Sequence, residues 1–278
     1  MTGKLILCGT PIGNLEDLSP RAERSLREAD VVACEDTRRT RKLLSHFGIR
    51  AKDLVVYHEG NERRQASGLF ERIVGGETVV LVSDAGMPGL SDPGYRLVKL
   101  CADSGVTVEV VPGPSAAIAA LAISGLPPGR FTFEGFFPRK KGDRRRRIED
   151  LATDARTMII YDSPHRIEET LEDLVDLLGE RPAALARELT KMHEEVRRGS
   201  LADLLAGVRK EPPRGEIVLL IGGAVHEHKP VPEAAELAQM VRAMMEDGTD
   251  RKEAMHTVAR EAGVPKRVVF DALVEERS

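Results

Sequence analysis

Short apolar runs alternate with longer amphipathic segments through the first 225 residues. Each run is rich in β-branched residues and breaks abruptly into Gly, Pro, Ser or Asp, which is typical of a buried strand that ends in a loop. Strands are predicted at residues 5–8, 31–34, 54–57, 79–82, 108–111, 157–161, 183–188 and 216–221. Helices are predicted between most of them, so the pattern as a whole predicts an α/β fold with parallel strands.

The pattern starts again after residues 126–129, where Leu-Pro-Pro-Gly resembles a hinge. We therefore predict two α/β domains, at residues 1–119 and 120–225, followed by a linker and a small helical extension at 226–278. Helical segments are predicted in the extension at residues 233–246, from an N-cap at Thr249 to 261, and at 266–276. Two short helices joined by a Gly-containing turn have the shape of a helix-turn-helix, and an ordinary helical hairpin or a dimerisation arm fits equally.

Two Gly- and Pro-rich loops carry the main functional signal. Residues 83–94 (SDAGMPGLSDPG) follow one predicted strand, and residues 112–115 (PGPS) follow the next. Loops at the carboxyl ends of strands line the ligand crevice of open α/β sheets, and a simple reversal takes only about two to six residues. The loops therefore predict a ligand site, with a structural Ω-loop as the alternative.

Polar residues also gather after two other predicted strands. Glu35, Asp36 and Arg38 follow one strand, and His58 and Glu62 follow another. Each group is either a self-satisfied cluster or part of the same site. The first loop, GTPIGN, matches neither GxGxxG nor GxxxxGK[ST], which argues against a dinucleotide site or a P-loop.

Length and composition narrow the class of protein. With 278 residues, 41% hydrophobic and 31% charged, the chain can build two cores and is too polar for a membrane protein. It lacks a membrane-length apolar run and a signal region, so we expect a cytoplasmic protein. Cys8, Cys34 and Cys101 are expected to be buried thiols. No Cys or His spacing resembles a zinc site, and His226 and His228 lie in the predicted linker.

The formal net charge of −4 gives no global reason to expect a nucleic acid. Residues 139–147 (RKKGDRRRR) nevertheless hold seven basic residues in nine. A charge run of this kind is often only a solvated face. A dense basic loop on an acidic protein is also the local signature expected for phosphate contacts.

Nine motifs in order carry a resemblance to a known family. They are GTPIGNLEDLSPRA, CEDTRRTRKLL, YHEGNE, LVSDAGMPGLSDPG, VVPGPSA, FEGFFPRK, YDSPHRI, ARELTKMHEE and GEIVLLIGG. Together they resemble the tetrapyrrole-methylase superfamily and, within it, the ribosomal RNA small-subunit methyltransferase I branch. The match spans residues 4–223, and the last 45 residues resemble the helix-turn-helix extension of that branch. Gly60 departs from the pattern, where a second His or another polar residue is expected.

This resemblance implies two α/β domains with S-adenosylmethionine (SAM) in the cleft between them, usually in a homodimer. It implies methyl transfer to the 2′-hydroxyl of a cytidine in 16S rRNA, in the P-site region of the decoding centre, with the 30S subunit as partner. No metal is required. The cofactor positions of the family fall on Ile12, Asp84, Met87, Ser115, Ala116, Leu189 and Glu216.

A ribose hydroxyl is a poor nucleophile and benefits from a general base. The candidates are Glu35, Asp36 and Arg38 with His58, together with Glu62, and Lys191 if burial lowers its pKa. For RNA, the expected phosphate contacts are Arg139, Lys140, Lys141, Arg144 and Arg145. Phe136 and Phe137 either stack a splayed base or belong to the core.

Two other functions compete with this interpretation. A SAM-dependent C-methyltransferase of a corrin or sirohaem precursor would share the fold, but a small macrocycle needs neither EDTRRTR, the basic run nor the helical extension. A helix-turn-helix regulator that binds SAM only as an effector would need no methyl turnover. A regulator would not need two whole domains to form a cofactor cleft, which argues against this second alternative.

Overall fold

The computed structural model describes residues 3–224 and 232–275, and two compact units divide the chain between Ala224 and Val225. His226 and His228 lie outside the described residues. No helix among the described residues is long and apolar enough to span a bilayer.

The first sheet contains five parallel strands in the order β3-β2-β4-β1-β5. Its strands are β1 (Lys4–Cys8), β2 (Val31–Cys34), β3 (Leu54–Val56), β4 (Thr78–Leu81) and β5 (Val108–Val111). The helices between them are α1 (Pro20–Glu28), α2 (Thr37–His46), α3 (Glu62–Val74) and α4 (Tyr95–Asp103). Ser19 caps α1 through its side chain, with Pro20 at the first helical position.

Alternation along the strands builds a core on each face of this sheet. Ile6 and Val80 pack with residues of α1 and α2 on one face. Leu5 and Val79 pack with residues of α3 and α4 on the other. Because neighbouring side chains on a strand point to opposite faces, a short apolar run can supply both cores at once.

The second sheet has the order β6-β7-β10-β8-β9, in which only β6 and β7 pair in parallel. Its strands are β6 (Phe131–Phe136), β7 (Thr157–Asp162), β8 (Pro182–Arg187), β9 (Glu195–Ser200) and β10 (Ile217–Ile221). Four helices accompany it: α5 (Ala116–Ser124), α6 (Lys141–Asp150), α7 (Ile167–Leu178) and α8 (Leu201–Lys210). The predicted α/β class is confirmed, with a mixed second sheet.

Helix α5 begins in the loop after β5 and packs against the second sheet. Its Ala117, Ala120 and Leu121 share a buried cluster with Ile159 of β7 and Leu220 of β10. The predicted boundary after residue 119 therefore falls inside a helix. The division of residues 1–224 into two domains stays a prediction.

Three segments differ from the sequence interpretation. The basic run, expected as a loop, lies largely in α6, because Arg144 and Ile148 occupy one buried helical face. Strands β6 and β9 were not predicted. The sequence of β6 is interrupted by an irregularity between Phe133 and Gly135, and β9 (EVRRGS) is a polar edge strand that pairs with β8.

The second unit contains three helices in its described residues: α9 (Ala234–Glu246), α10 (Arg251–Glu261) and α11 (Lys266–Glu275). They pack around Leu237, Val241, Val258 and Val269. The N-cap of α10 is Asp250, whose side chain accepts a hydrogen bond from the Lys252 N–H, rather than Thr249. The helical extension is thus present, and its role stays open.

Candidate functional site

A cavity of about 220 Å³ lies where the loops after β1, β4 and β5 approach the facing ends of β7 and β10. Its walls are largely apolar and include Leu90, Phe136, Tyr161 and Val218. Five of the seven residues expected at the cofactor line this first cavity: Ile12, Met87, Ser115, Ala116 and Glu216. The loops singled out in the sequence thus converge on one site.

A second cavity, of about 290 Å³, adjoins the first. The two share Ile12, Ala85 and Glu216 as a common wall. The second cavity is lined by Asp84 and, from α2, by Arg39 and Lys42. A ligand in the first cavity and a ligand in the second would therefore meet at this wall.

Asp162, at the end of β7, lines the first cavity and carries an unsatisfied hydrogen-bond acceptor. The residue is 5% exposed, and its Oδ1 accepts from the Ser163 N–H at 2.8 Å. Its buried Oδ2 has no hydrogen-bond partner among the described residues. A buried oxygen without a donor is costly, so this atom suits a ligand that brings an N–H or O–H group. The sequence motif YDSPHRI includes Asp162, but nothing in the sequence indicated that one of its side-chain oxygens lacks a partner.

The loops after β1 and β5 touch through two glycines beside this cavity. A Cβ atom added at Gly113 would lie 2.8 Å from Gly9 Cα, which leaves no room for a side chain. The Thr10 N–H donates to the Gly86 carbonyl at 2.9 Å, which ties the first loop to the loop after β4. This packing brings backbone peptide groups close to the space that a ligand would fill.

Three carboxylates gather around the loop after β4. The Asp84 N–H donates to Glu35 Oε1 at 3.4 Å, and the side chain of Asp84 accepts from the Asp36 N–H at 3.1 Å. Burial and the carboxylates of Asp92 and Asp84 raise the pKa of Glu35 to about 7. Burial, with Asp84 nearby, raises the pKa of Asp92 to about 6. Such a cluster can hold or release a proton near neutral pH.

A strained turn after β8 closes over the first loop. Glu188 and Thr190 have φ values of 50° and 66°, a conformation that non-glycine residues adopt rarely. Thr190 Oγ1 accepts from the Asn14 N–H at 3.0 Å. Leu189, between them, is buried in the same cluster as Ile12 and does not line the first or the second cavity.

Comparisons with known proteins agree with this architecture. The family model of the tetrapyrrole (corrin/porphyrin) methylases matches residues 4–205. The chain belongs to this family. Within it, the chain is similar to proteins named ribosomal RNA small subunit methyltransferase I. That of Halalkalibacterium halodurans is 44% identical over 277 residues, covering 99% of this chain and 96% of the relative. That of Mycobacterium tuberculosis (strain CDC 1551 / Oshkosh) is 46% identical, with the same coverages.

A solved methylase shares the fold. Uroporphyrin-III C-methyltransferase from Thermus thermophilus, complexed with S-adenyl homocysteine, aligns with a TM-score of 0.57 at 23% identity. The alignment covers 79% of this chain and 97% of that protein. At this level of identity, the likeness concerns the fold alone.

The catalytic candidates of this methylase do not form one cluster. Asp36 caps α2 and binds Arg38, and the hydrogen bonds from Arg38 lower the pKa of its carboxyl to about 2. Glu62 accepts from the Tyr57 hydroxyl and from the Gly94 N–H, both at 3.1 Å, and so fixes the start of α4. His58 is exposed and, like Glu62, lines neither cavity. Only Glu35 lies in the carboxylate cluster.

Lys191 does not meet the condition set for a base. Burial alone would lower its pKa, but hydrogen bonds to Glu188 and Glu216 outweigh burial and raise it. The ammonium Nζ lies 3.0 Å and 3.1 Å from these two carboxylates. Lys191 is therefore held in its charged form, which argues against the alternative in which Lys191 acts as the general base.

The basic run divides into paired and free residues. Arg144 is 1% exposed and is enclosed by Asp173 and Glu169, so the expectation that it contacts RNA is corrected. Arg145 is bound by Asp173 and Asp176. Three other residues expected to contact RNA are exposed and have no ion pair in the described part of the chain: Arg139, Lys140 and Lys141.

The two phenylalanines of FEGFFPRK have different surroundings. Phe137 belongs to the core of the second sheet. Phe136 is 57% exposed, lines the first cavity and lies 5.6 Å from Tyr161 between ring centroids. The aromatic wall of the first cavity is thus partly open to solvent.

Proposed function

We propose that this chain transfers the methyl group of SAM to the 2′-hydroxyl of a cytidine in 16S rRNA, in the P-site region of the decoding centre. The names of its relatives support ribosomal RNA as the substrate class. The main observation behind the proposal is the pair of adjoining cavities, because transfer of a methyl group between two substrates needs two binding sites that lie side by side. We propose a cytoplasmic homodimer that acts on the 30S subunit.

The first cavity fits SAM. The apolar walls suit the adenine ring, and the packed glycine loops offer peptide groups to the polar parts of the cofactor. The unpartnered Oδ2 of Asp162 can accept a hydrogen bond from an amino or a hydroxyl group, and SAM carries both. Bound there, SAM supplies a methyl group on a positively charged sulfur.

The second cavity would hold the acceptor ribose. Two carboxylates line it, and Glu216 is already bound by Lys191 at 3.1 Å, so Asp84 is the one placed to take the hydroxyl proton as the new O–C bond forms. Glu35 accepts from the Asp84 N–H and has a pKa near 7, and so keeps part of the cluster protonated at neutral pH. Proton transfer is then a property of the cluster rather than of one residue. Most of the acceleration would come from alignment of the hydroxyl oxygen with the methyl carbon.

We propose the assembled 30S subunit, rather than free 16S rRNA, as the acceptor. Proteins recognise RNA by its shape and by the single-stranded nucleotides that it displays, and assembly of the subunit would fix both. Equal rates on deproteinised 16S rRNA and on 30S subunits would contradict this part alone.

The decisive experiment is tritiated-methyl transfer from SAM to 30S subunits that lack the modification, followed by digestion to nucleosides. Label in a 2′-O-methylated cytidine is the expected result. Unlabelled RNA, together with label in a tetrapyrrole such as a uroporphyrinogen, would overturn the proposal and favour the chemistry of the Thermus thermophilus protein.

A further inference from the structure

One face of α2 presents a cluster of positive charge beside the second cavity. Arg39 and Lys42, three residues apart, both line that cavity, and Arg41 lies next to them in sequence. All three side chains are exposed. Residues three apart on a helix lie on the same face, so the two cavity-lining cations act together.

Lys42 supplies the uncompensated charge of this α2 basic face (Arg39 and Lys42). Arg39 lies 3.5 Å from Asp84, which lines the same cavity. Lys42 has no ion pair or hydrogen-bond partner among residues 3–224 and 232–275. Arg41, two residues after Arg39, lies on a different face of the helix and lines a separate cavity. Arg38, the residue before Arg39, is neutralised by Asp36 at 3.0 Å.

The arginines of the basic run on α6 are mostly paired. Carboxylates bind three of the four consecutive arginines closely: Arg144, Arg145 and Arg147. An arginine that already binds carboxylates has little net charge to offer a phosphate. These three arginines are therefore mainly structural, whereas Lys42 offers free positive charge next to the acceptor cavity.

We infer that the α2 basic face binds the RNA phosphates that flank the acceptor nucleotide. The inference rests on the proposed function, since it assigns the polynucleotide to the second cavity. An anionic backbone complements exposed cations, and Asp84 stays available to the ribose hydroxyl while Arg39 offsets its charge. Contacts of this kind position the chain and read no bases, so sequence selection must come from elsewhere.

The test compares two single variants of the full chain that remove the same charge. Lys42→Ala removes the unpaired cation of the α2 basic face, and Arg41→Ala, at the neighbouring residue but outside the second cavity, is the matched comparator. Both side chains are exposed, so neither variant should unfold the protein. The probe is a fluorescein-labelled single-stranded RNA of about six nucleotides, titrated at salt concentrations from about 50 to about 200 mM.

Lys42→Ala should weaken binding of this short RNA about threefold and reduce the slope of log affinity against log salt by about 0.7. Arg41→Ala should change both quantities much less, because Arg41 does not line the second cavity. With 30S subunits, the KM of Lys42→Ala should rise while kcat and the SAM dissociation constant stay the same.

An unchanged salt slope in Lys42→Ala would overturn the inference. Equal losses in Lys42→Ala and Arg41→Ala would also overturn it, because total charge and not this face would then govern binding. A wild-type protein that binds SAM but neither binds nor methylates RNA would overturn the proposed function as well. Methyl transfer by the wild type therefore distinguishes the two failures.

Discussion

Arg144 Nε lies 2.7 Å from Asp173 Oδ2, and the two side chains are 2% and 3% exposed. Burial raises the pKa of Asp173, but hydrogen bonds from Arg144 and Arg145 outweigh burial and lower it. This ion pair joins α6 to α7 in the core of the second sheet. Its members support each other and are not available to a ligand.

Replacement of Arg144 by Met should destabilise the protein by about 3–5 kcal/mol, because it leaves the Asp173 carboxylate buried without its main partner. Denaturant unfolding measures this loss. Arg146→Ala is the control, since Arg146 is 76% exposed and its pair with Asp143 should contribute less than about 1 kcal/mol. A stable Arg144→Met protein with a raised KM for RNA would instead restore a role in substrate binding.

Glu35→Gln tests the carboxylate cluster through pH. The folded-state pKa of Glu35, about 7, lies above its ordinary value of 4.5, so folding favours the protonated form. The stability that this provides is fully present below about 4.5 and is lost as the pH rises through 7. The Tm of Glu35→Gln relative to wild type should therefore increase from about pH 5 to pH 8.

Methyl transfer should depend on the same cluster. The wild-type rate should rise with pH around an apparent pKa near 7, and this step should be absent or displaced in Glu35→Gln. Glu59→Gln, on an exposed loop, is the control and should behave like wild type in both assays. A relative Tm of Glu35→Gln that does not vary with pH would show that the Glu35 carboxylate titrates normally.

Asp162→Asn should weaken SAM binding by about tenfold to hundredfold, because an amide N–H would replace the acceptor that is proposed to receive a donor of SAM. The ligand-free Tm should stay the same or rise, since Oδ2 has no partner to lose among the described residues. The rise in Tm on SAM addition should shrink correspondingly. Asp150→Asn, at the exposed end of α6, supplies the matched control. Equal SAM affinity in both variants would remove Asp162 from the cofactor site.

Gly113→Ala should displace the loop after β5, because the added methyl group would collide with the backbone of Gly9. We expect a loss of about 1–3 kcal/mol in stability and weaker SAM binding, measured by unfolding and by calorimetry. Gly129→Ala is the comparison, since a Cβ at Gly129 has nothing within 4 Å. Wild-type affinity in Gly113→Ala would mean that the loop can move without consequence for the ligand.

The sequence predicted the elements whose signal is local. Buried strands such as β2 and β4 appear as apolar runs, and the glycine-rich loops that follow β1, β4 and β5 mark one side of the first cavity. Ser19 before Pro20 marks the start of α1, as the structure confirms. These features depend on neighbours in the chain, which a sequence displays directly.

Features that depend on tertiary partners escaped the sequence interpretation. Arg144 looks like its exposed neighbours until α7 supplies Asp173. Asp92 has a raised pKa only because the fold buries it near Asp84. Asp162 gains its significance from an oxygen that the fold leaves unpaired. In each case the residue type was visible, and the environment that gives it a role was not.

Helix α5 has a consequence for recombination between relatives. Its first residues continue the loop that lines the first cavity, while its buried side chains belong to the core of the second sheet. A chimera joined after residue 119 would cut this helix and combine two half-helices that were selected against different partners. A junction at residues 126–129 would transfer the helix whole, together with the loop that begins it. The natural crossover point of this fold therefore lies after α5, beyond the first sheet and its loops.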